Sequence, residues 1–194
     1  MIQNCICKYI EENLSEKRRI HTYAVVKEAR ALADRWNVDL EKAQLAALCH
    51  DLFRGVALNI SNTYVEKYSM GTHYLNNLNL THGRMAAIFM EETYGIQDED
   101  ILNAVKYHTT GRAGMSHLEE ILYLADAIEP NRSYPSVEEI RRLAYEDLDE
   151  ACLFSMNHTI DYVTGKGSYL DENTLFARDS MREKIKRRKK GEIV

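Results

Sequence analysis

Proline is almost missing from this chain. Only Pro130 and Pro135 occur in 194 residues, so nothing in the first 129 positions must break a helix. Apolar residues there recur at steps of three and four. His21, Val25, Ala29, Leu32 and Trp36 share one helical face, and Ile101, Ala104, Val105 and His108 repeat the pattern. Punctuation falls between such runs. Ser15, Asp39, Thr81 and Asp98 suit N-caps, Gly55, Gly95 and Gly111 suit helix ends, and Ser116 to Glu119 and Ser136 to Glu139 read as capping boxes. The third helix is expected to run from Asp39 to about Arg54, and another to open at His82 behind Thr81. About ten helices and no convincing strand result. The fold class is all-α, a single helical bundle, with residues 1–180 as the body and 181–194 as a basic C-terminal tail.

No run of about 18 apolar residues is present, which argues against a membrane-spanning helix. The N-terminus lacks a signal peptide's basic start and apolar core. Four cysteines without framework spacing suggest reduced thiols, and a cytoplasmic protein is expected. The formal charge of −5 is uneven. Residues 181–190 hold seven cations and one glutamate, so the body is strongly acidic. A basic end can attract nucleic acid or anionic lipid; the plainer reading is a solvated, fraying helix. An acidic body disfavours nucleic acid and leaves room for a phosphate ligand held through cations.

Chemistry is concentrated where polar groups interrupt apolar faces. His50-Asp51 closes the apolar run Leu45-Ala46-Ala47-Leu48-Cys49, and a buried aspartate is costly unless it is paired or binds a metal. Arg54 lies within a helical turn of both. His21, His82 and His108 sit at similar inward positions, and Asp126 interrupts the run Ile121 to Ala125. Imidazoles and carboxylates together suit iron, manganese, cobalt or zinc. Six such ligands exceed what one catalytic metal with open positions needs and suffice for two if a carboxylate bridges. The Thr109-Thr110-Gly111-Arg112 loop gathers hydroxyls, amides and a guanidinium suited to phosphate. His73 reads as an exposed loop residue and His158 as structural.

The pattern His21 … His50-Asp51 … Asp126 resembles that of the HD-domain metal-dependent phosphohydrolases, and His82 and His108 mark the dinuclear branch. Lys17-Arg18, Thr81-His82-Gly83, Tyr107 to Arg112 and Leu124 to Arg132 are similar to the YqeK family from about Tyr9 to Arg178. That resemblance implies hydrolysis of diadenosine tetraphosphate to two ADP at a dinuclear site with a bridging hydroxide. It implies that His21, His50, Asp51 and Asp126 hold one metal, and Asp51, His82 and His108 the second. The family is associated with iron; manganese or cobalt also fit the donors. Arg54 and Arg112, beside Asp51, are the expected catalytic charges. Arg18, Thr109, Thr110, Glu129 and Arg132 are the expected substrate contacts, Glu129 either on a ribose or behind a ligand. Arg54 departs from the family's more frequent lysine. The expected partner is a dinucleoside polyphosphate or purine nucleotide, with no membrane and no nucleic acid; a homodimer is compatible. Other readings are a nucleotidase or guanosine-alarmone hydrolase, a di-iron oxygenase, or a nucleotide sensor without turnover.

Overall fold

The structure is a computed structural model, and it describes residues 2–191. Ten α-helices occur among the described residues, with one short 3-10 turn at Thr72–Tyr74 and no strand. In chain order they are α1 (Ile2–Asn13), α2 (Glu16–Arg35), α3 (Leu40–Cys49), α4 (Leu58–Lys67), α5 (Leu78–Tyr94), α6 (Glu99–Tyr107), α7 (His117–Ile128), α8 (Val137–Glu146), α9 (Leu148–Gly165) and α10 (Glu172–Lys189). The all-α expectation holds.

The bundle is built around α7. Every residue from Leu118 to Ala125 is buried, Glu119 and Glu120 included. It packs against α2, α3 and α6, and also against α8 and α9, with α10 laid on α9. Its N-terminus is a capping box: Ser116 Oγ accepts from the Glu119 amide, and Glu119 Oε1 accepts from the Ser116 amide. Asp39 and Asp98 cap α3 and α6 as their sequence positions suggest. Each such cap contributes about 1 kcal/mol by satisfying an amide that the helix leaves free. Trp36 pins α2 to α8, its indole N–H donating to the Ala144 carbonyl at 2.8 Å.

Three local expectations are corrected. The third helix ends at Cys49, so His50-Asp51 lies in the turn just beyond it. Thr81 does not cap. α5 begins at Leu78, and the buried Thr81 hydroxyl donates back to the Asn77 carbonyl at 2.8 Å, putting His82 in the second turn. Ser136 adopts left-handed backbone, with φ at 76°, and makes no capping bond. The tight turn after Tyr134 decides its conformation rather than the helix that follows.

The boundary expected near residue 180 falls within α10. Met181 and Ile185 are buried. Lys184 reaches Glu120 Oε1 and Asp149 Oδ1, both at 2.7 Å, and Arg188 reaches Asp149 at 2.8 Å and Asp147 at 2.6 Å. The basic stretch through Lys189 is therefore helical and packs one face on the body through Met181, Lys184, Ile185 and Arg188, while its other cations are exposed. The rest of the expected tail, residues 192–194, lies outside the described residues.

Candidate metal centre

α2, α3, α5, α6 and α7 bring His21, His50, Asp51, His82, His108 and Asp126 to one point. His21 and Asp126 are on helices; His50 and His108 are the residues just past the ends of α3 and α6. Helix ends leave carbonyls without partners, and the histidines use them. His50 Nδ1 lies 2.6 Å from the Ala47 oxygen and His108 Nδ1 lies 2.8 Å from that of Val105. His82 Nδ1 lies 2.9 Å from the Leu78 oxygen. His21 Nδ1 lies 3.2 Å from Glu129 Oε1.

A carbonyl only accepts, so Nδ1 of His50, His82 and His108 carries the proton and each of these neutral rings leaves Nε2 as a bare acceptor, whereas His21 lies between two carboxylates, Glu129 at Nδ1 and Asp126 at Nε2. The Nε2 atoms then converge. Those of His82 and His108 are 3.0 Å apart, and those of His50 and His21 are 3.4 Å apart. The two lone pairs of His82 and His108, facing each other at 3.0 Å, require a cation or an extra proton between them. An outer partner that fixes the tautomer and aims the other nitrogen is characteristic of metal-binding histidine.

Asp51 lies between the two imidazole pairs. Its Oδ1 is 3.1 Å from His82 Nε2, and its Oδ2 is 3.7 Å from His21 Nε2 and 3.8 Å from His50 Nε2. Two groups capable of holding an ion therefore share this carboxylate: His21, His50 and Asp51, and Asp51, His82 and His108. Asp126 joins the first, its Oδ1 3.0 Å from His21 Nε2.

Burial sets the electrostatics. It pushes His50 below the usual histidine value and His108 down to about 3, the neighbouring imidazoles acting the same way on His108. Both rings are neutral and ready to donate a lone pair near neutral pH. Burial pushes the Asp51 carboxyl up, but His50, His82 and His108 overcome it and hold Asp51 well below the usual range. Burial lowers His21 too, but its bond to Asp126 leaves it raised on balance.

Three arginines surround the carboxylates. Arg18 donates to Asp51 Oδ2 at 2.9 Å, and Arg132 to Asp126 Oδ1 at 2.5 Å. Arg54 is half-buried near both acids and makes no ion pair among the described residues; burial, with Arg18 and Arg132 close by, lowers its pKa. Arg112 is placed elsewhere. Its guanidinium is held by buried Glu119 through two bonds, at 2.8 and 2.5 Å, so its fork secures the loop to the start of α7. Thr110 is buried and donates within the loop to the Gly111 carbonyl at 2.9 Å, whereas Thr109 Oγ1 lies 3.2 Å from His108 Nε2. Glu129 is fully engaged, with Oε1 on His21 and Oε2 accepting from the Asn131 amide and side chain. It stands behind a histidine, not on a ribose.

Two residues had little signal in the sequence. A Cβ on Gly83 would lie 2.7 Å from the Val105 carbonyl and 3.0 Å from the His108 ring, so α5 and α6 approach closely enough to pair His82 with His108 only because residue 83 is glycine. His158, expected to be structural, lines a cavity that reaches the centre. His73 is exposed, as expected.

This site and fold define the chain as an HD-domain protein: the HD domain family model matches residues 18–131, and the chain belongs to that family. Within it, the chain is of the YqeK type. It is 39% identical over 158 residues to the symmetrical bis(5'-nucleosyl)-tetraphosphatase of Bacillus subtilis, spanning 81% of this chain and 85% of that one. The Staphylococcus aureus protein of the same description is 40% identical over 136 residues, 70% of each chain. The crystal structure of an HD superfamily hydrolase from Clostridium acetobutylicum, described as involved in NAD metabolism, superposes with a TM-score of 0.89. It is 39% identical, with 94% of this chain and 97% of that one covered. No described helix is long and apolar enough to cross a membrane.

Proposed function

We propose that the chain is a metal-dependent phosphohydrolase that cleaves a dinucleoside tetraphosphate, diadenosine tetraphosphate in the first instance, at its centre to give two nucleoside diphosphates. The observation that carries this reading is the division of Asp51 between two imidazole pairs whose Nε2 atoms converge. The activity printed for the Bacillus and Staphylococcus relatives supplies the substrate class.

His21, His50, Asp51 and Asp126 would hold one ion and Asp51, His82 and His108 the other. Neutral imidazole with carboxylate suits iron, and also manganese or cobalt. Bound ions supply Lewis acidity and water activation at neutral pH. The chain does the rest. The carbonyls of Ala47, Leu78 and Val105 hold three of the rings in one tautomer, and Glu129 holds His21 at its Nδ1. Arg54, Arg18 and Arg132 neutralise the charge that builds on the phosphates as a central anhydride bond breaks. Arg54 contributes an unpaired fork that a lysine would replace with a point charge. Thr109 stands beside His108 as a hydroxyl donor to a phosphate oxygen.

The test is incubation of purified protein, loaded with iron or manganese, with diadenosine tetraphosphate, followed by ion-exchange separation of products. ADP alone is the expected result. AMP with ATP would place attack at an α-phosphorus and overturn the symmetric register. No turnover by fully loaded protein would overturn the assignment.

A further inference from the structure

Two cavities meet at the centre and differ in chemistry. One, of about 670 Å³, opens on the His21 side and is lined by Lys17, Arg18 and Arg132 among others. The other, of about 730 Å³, opens on the His108 side. Arg132 and Tyr134 form the wall between them, since both line each cavity. The first has three cations against two carboxylates, Glu16 and Glu129, the latter engaged by His21 and Asn131. The second has His108, Asp126 and Arg132 at its metal end, and beyond them Tyr123, Tyr134, His158 and Tyr162, with Thr159 and Asp161.

We infer that the aromatic cavity between α7, α9 and the loop that follows α7 is a nucleoside subsite, taking the purine of one substrate half while that half's phosphates reach the metals past Arg132. The inference rests on the proposed function and deepens it. Its volume falls within the usual range for a small-ligand site, roughly 300–1,000 Å³, and its mix of aromatic walls with a few polar groups matches such sites.

The walls are preorganised. The Tyr134 hydroxyl donates to the Ala127 carbonyl at 2.9 Å, and its ring lies 5.6 Å from that of His158. Tyr123 is buried, with Ser155 Oγ 3.5 Å from its hydroxyl. Rings already fixed lose little freedom when a flat base stacks on them. Tyr162 completes the mouth and is 56% exposed, with the Lys166 ammonium 4.3 Å from its ring centroid on one face. Asp161 is exposed beside it and makes no ion pair among the described residues, which leaves its carboxylate free to accept from ribose hydroxyls or an exocyclic amine. The first cavity lacks this set and suits phosphate. The two halves of a symmetric substrate therefore meet unlike surroundings.

The test compares binding of ADP and inorganic pyrophosphate to the manganese-loaded full chain by calorimetry. Wild type should prefer ADP. Stacking on an aromatic side chain contributes about 1–3 kcal/mol per base, so Tyr162→Ala and His158→Ala should each cut that preference by about 5- to 150-fold. Tyr162 is exposed enough that its replacement leaves the core intact, and circular dichroism checks both variants. An unchanged ADP-to-pyrophosphate ratio in both folded variants overturns the subsite. Equal binding of ADP and pyrophosphate by wild type also overturns it, while symmetric hydrolysis in the product assay would still stand. Wild type that binds neither overturns the subsite and the nucleotide reading together.

Discussion

Two acids of α7 lie six residues apart, buried Glu120 and part-buried Asp126, and the molecule treats them in opposite ways. Glu120 is fully buried and meets the Lys184 ammonium of α10 at 2.7 Å, with Asp149 and Arg188 continuing the cluster. Asp126 faces His21 and, across the centre, Asp51 and three more imidazoles whose outer nitrogens are already committed. In the first cluster the chain supplies its own cations. In the second, Arg18 and Arg132 pair with one oxygen of Asp51 and of Asp126, but the imidazole Nε2 atoms converge on one another with no cation of the described chain between them. The residues around an acid, more than the acid itself, separate a structural cluster from a metal centre.

The sharpest way to break this contrast is at the shared ligand. Asp51→Asn should leave the helices folded but remove the bridging charge, lowering metal content and cutting turnover by about a thousandfold or more, because several kcal/mol of transition-state stabilisation depends on the ions. Metal analysis with steady-state kinetics checks it. His82→Ala should leave the first ion bound and abolish most turnover; full activity in a folded, metal-analysed His82→Ala protein would sink the two-ion reading. In the other cluster, Lys184→Met should cost about 3–5 kcal/mol in denaturant unfolding above pH 7, where Glu120 is ionised, because it strands a buried carboxylate. Adding Glu120→Gln should recover much of that, with turnover per folded, metal-loaded molecule close to wild type throughout.

Smaller effects probe the supports. Glu129→Ala frees the outer nitrogen of His21 and should weaken metal affinity by about 10- to 100-fold. Gly83→Ala, forced against the Val105 carbonyl and the His108 ring, should act similarly on the second ion alone. Titration of metal per chain separates the two.

The least effect is in pH, where the clusters should respond with opposite sign. Burial raises Glu120 to about 7 from an ordinary 4.5. The folded state therefore holds a proton that the unfolded chain has lost, and this contribution is full below about 4.5 and disappears as pH rises through 7. Burial lowers His108 to about 3 from 6.5, so its contribution is present above 6.5 and is lost as pH falls toward 3. Between pH 4.5 and 7 the metal-free wild type should lose stability relative to Glu120→Gln. A gap that stays constant over that range, measured by chemical denaturation, would remove Glu120 from the account.

Much of this was legible in one dimension. Scarce proline, apolar steps of three and four and caps at Asp39, Asp98 and Ser116 are local causes, and they yield helices wherever the chain lies. The six candidate ligands were legible too, because a histidine or aspartate on an apolar face is costly unless something satisfies it. The surroundings of Arg112 and His158 were not, and for Glu129 the sequence left two places open. Arg112 had the same loop chemistry whether it faced phosphate or Glu119, and only the packing of that loop on α7 decided for Glu119. The role of Glu129 needed His21, 108 residues earlier, and the cavity beside His158 needed α9 laid against α7. The sequence by itself determined that the chain is helical and which side chains had to find partners, since propensity and desolvation act residue by residue. Only the tertiary structure decided which partners they found, because the distances that separate an ion pair from a metal site arise between helices far apart in the chain.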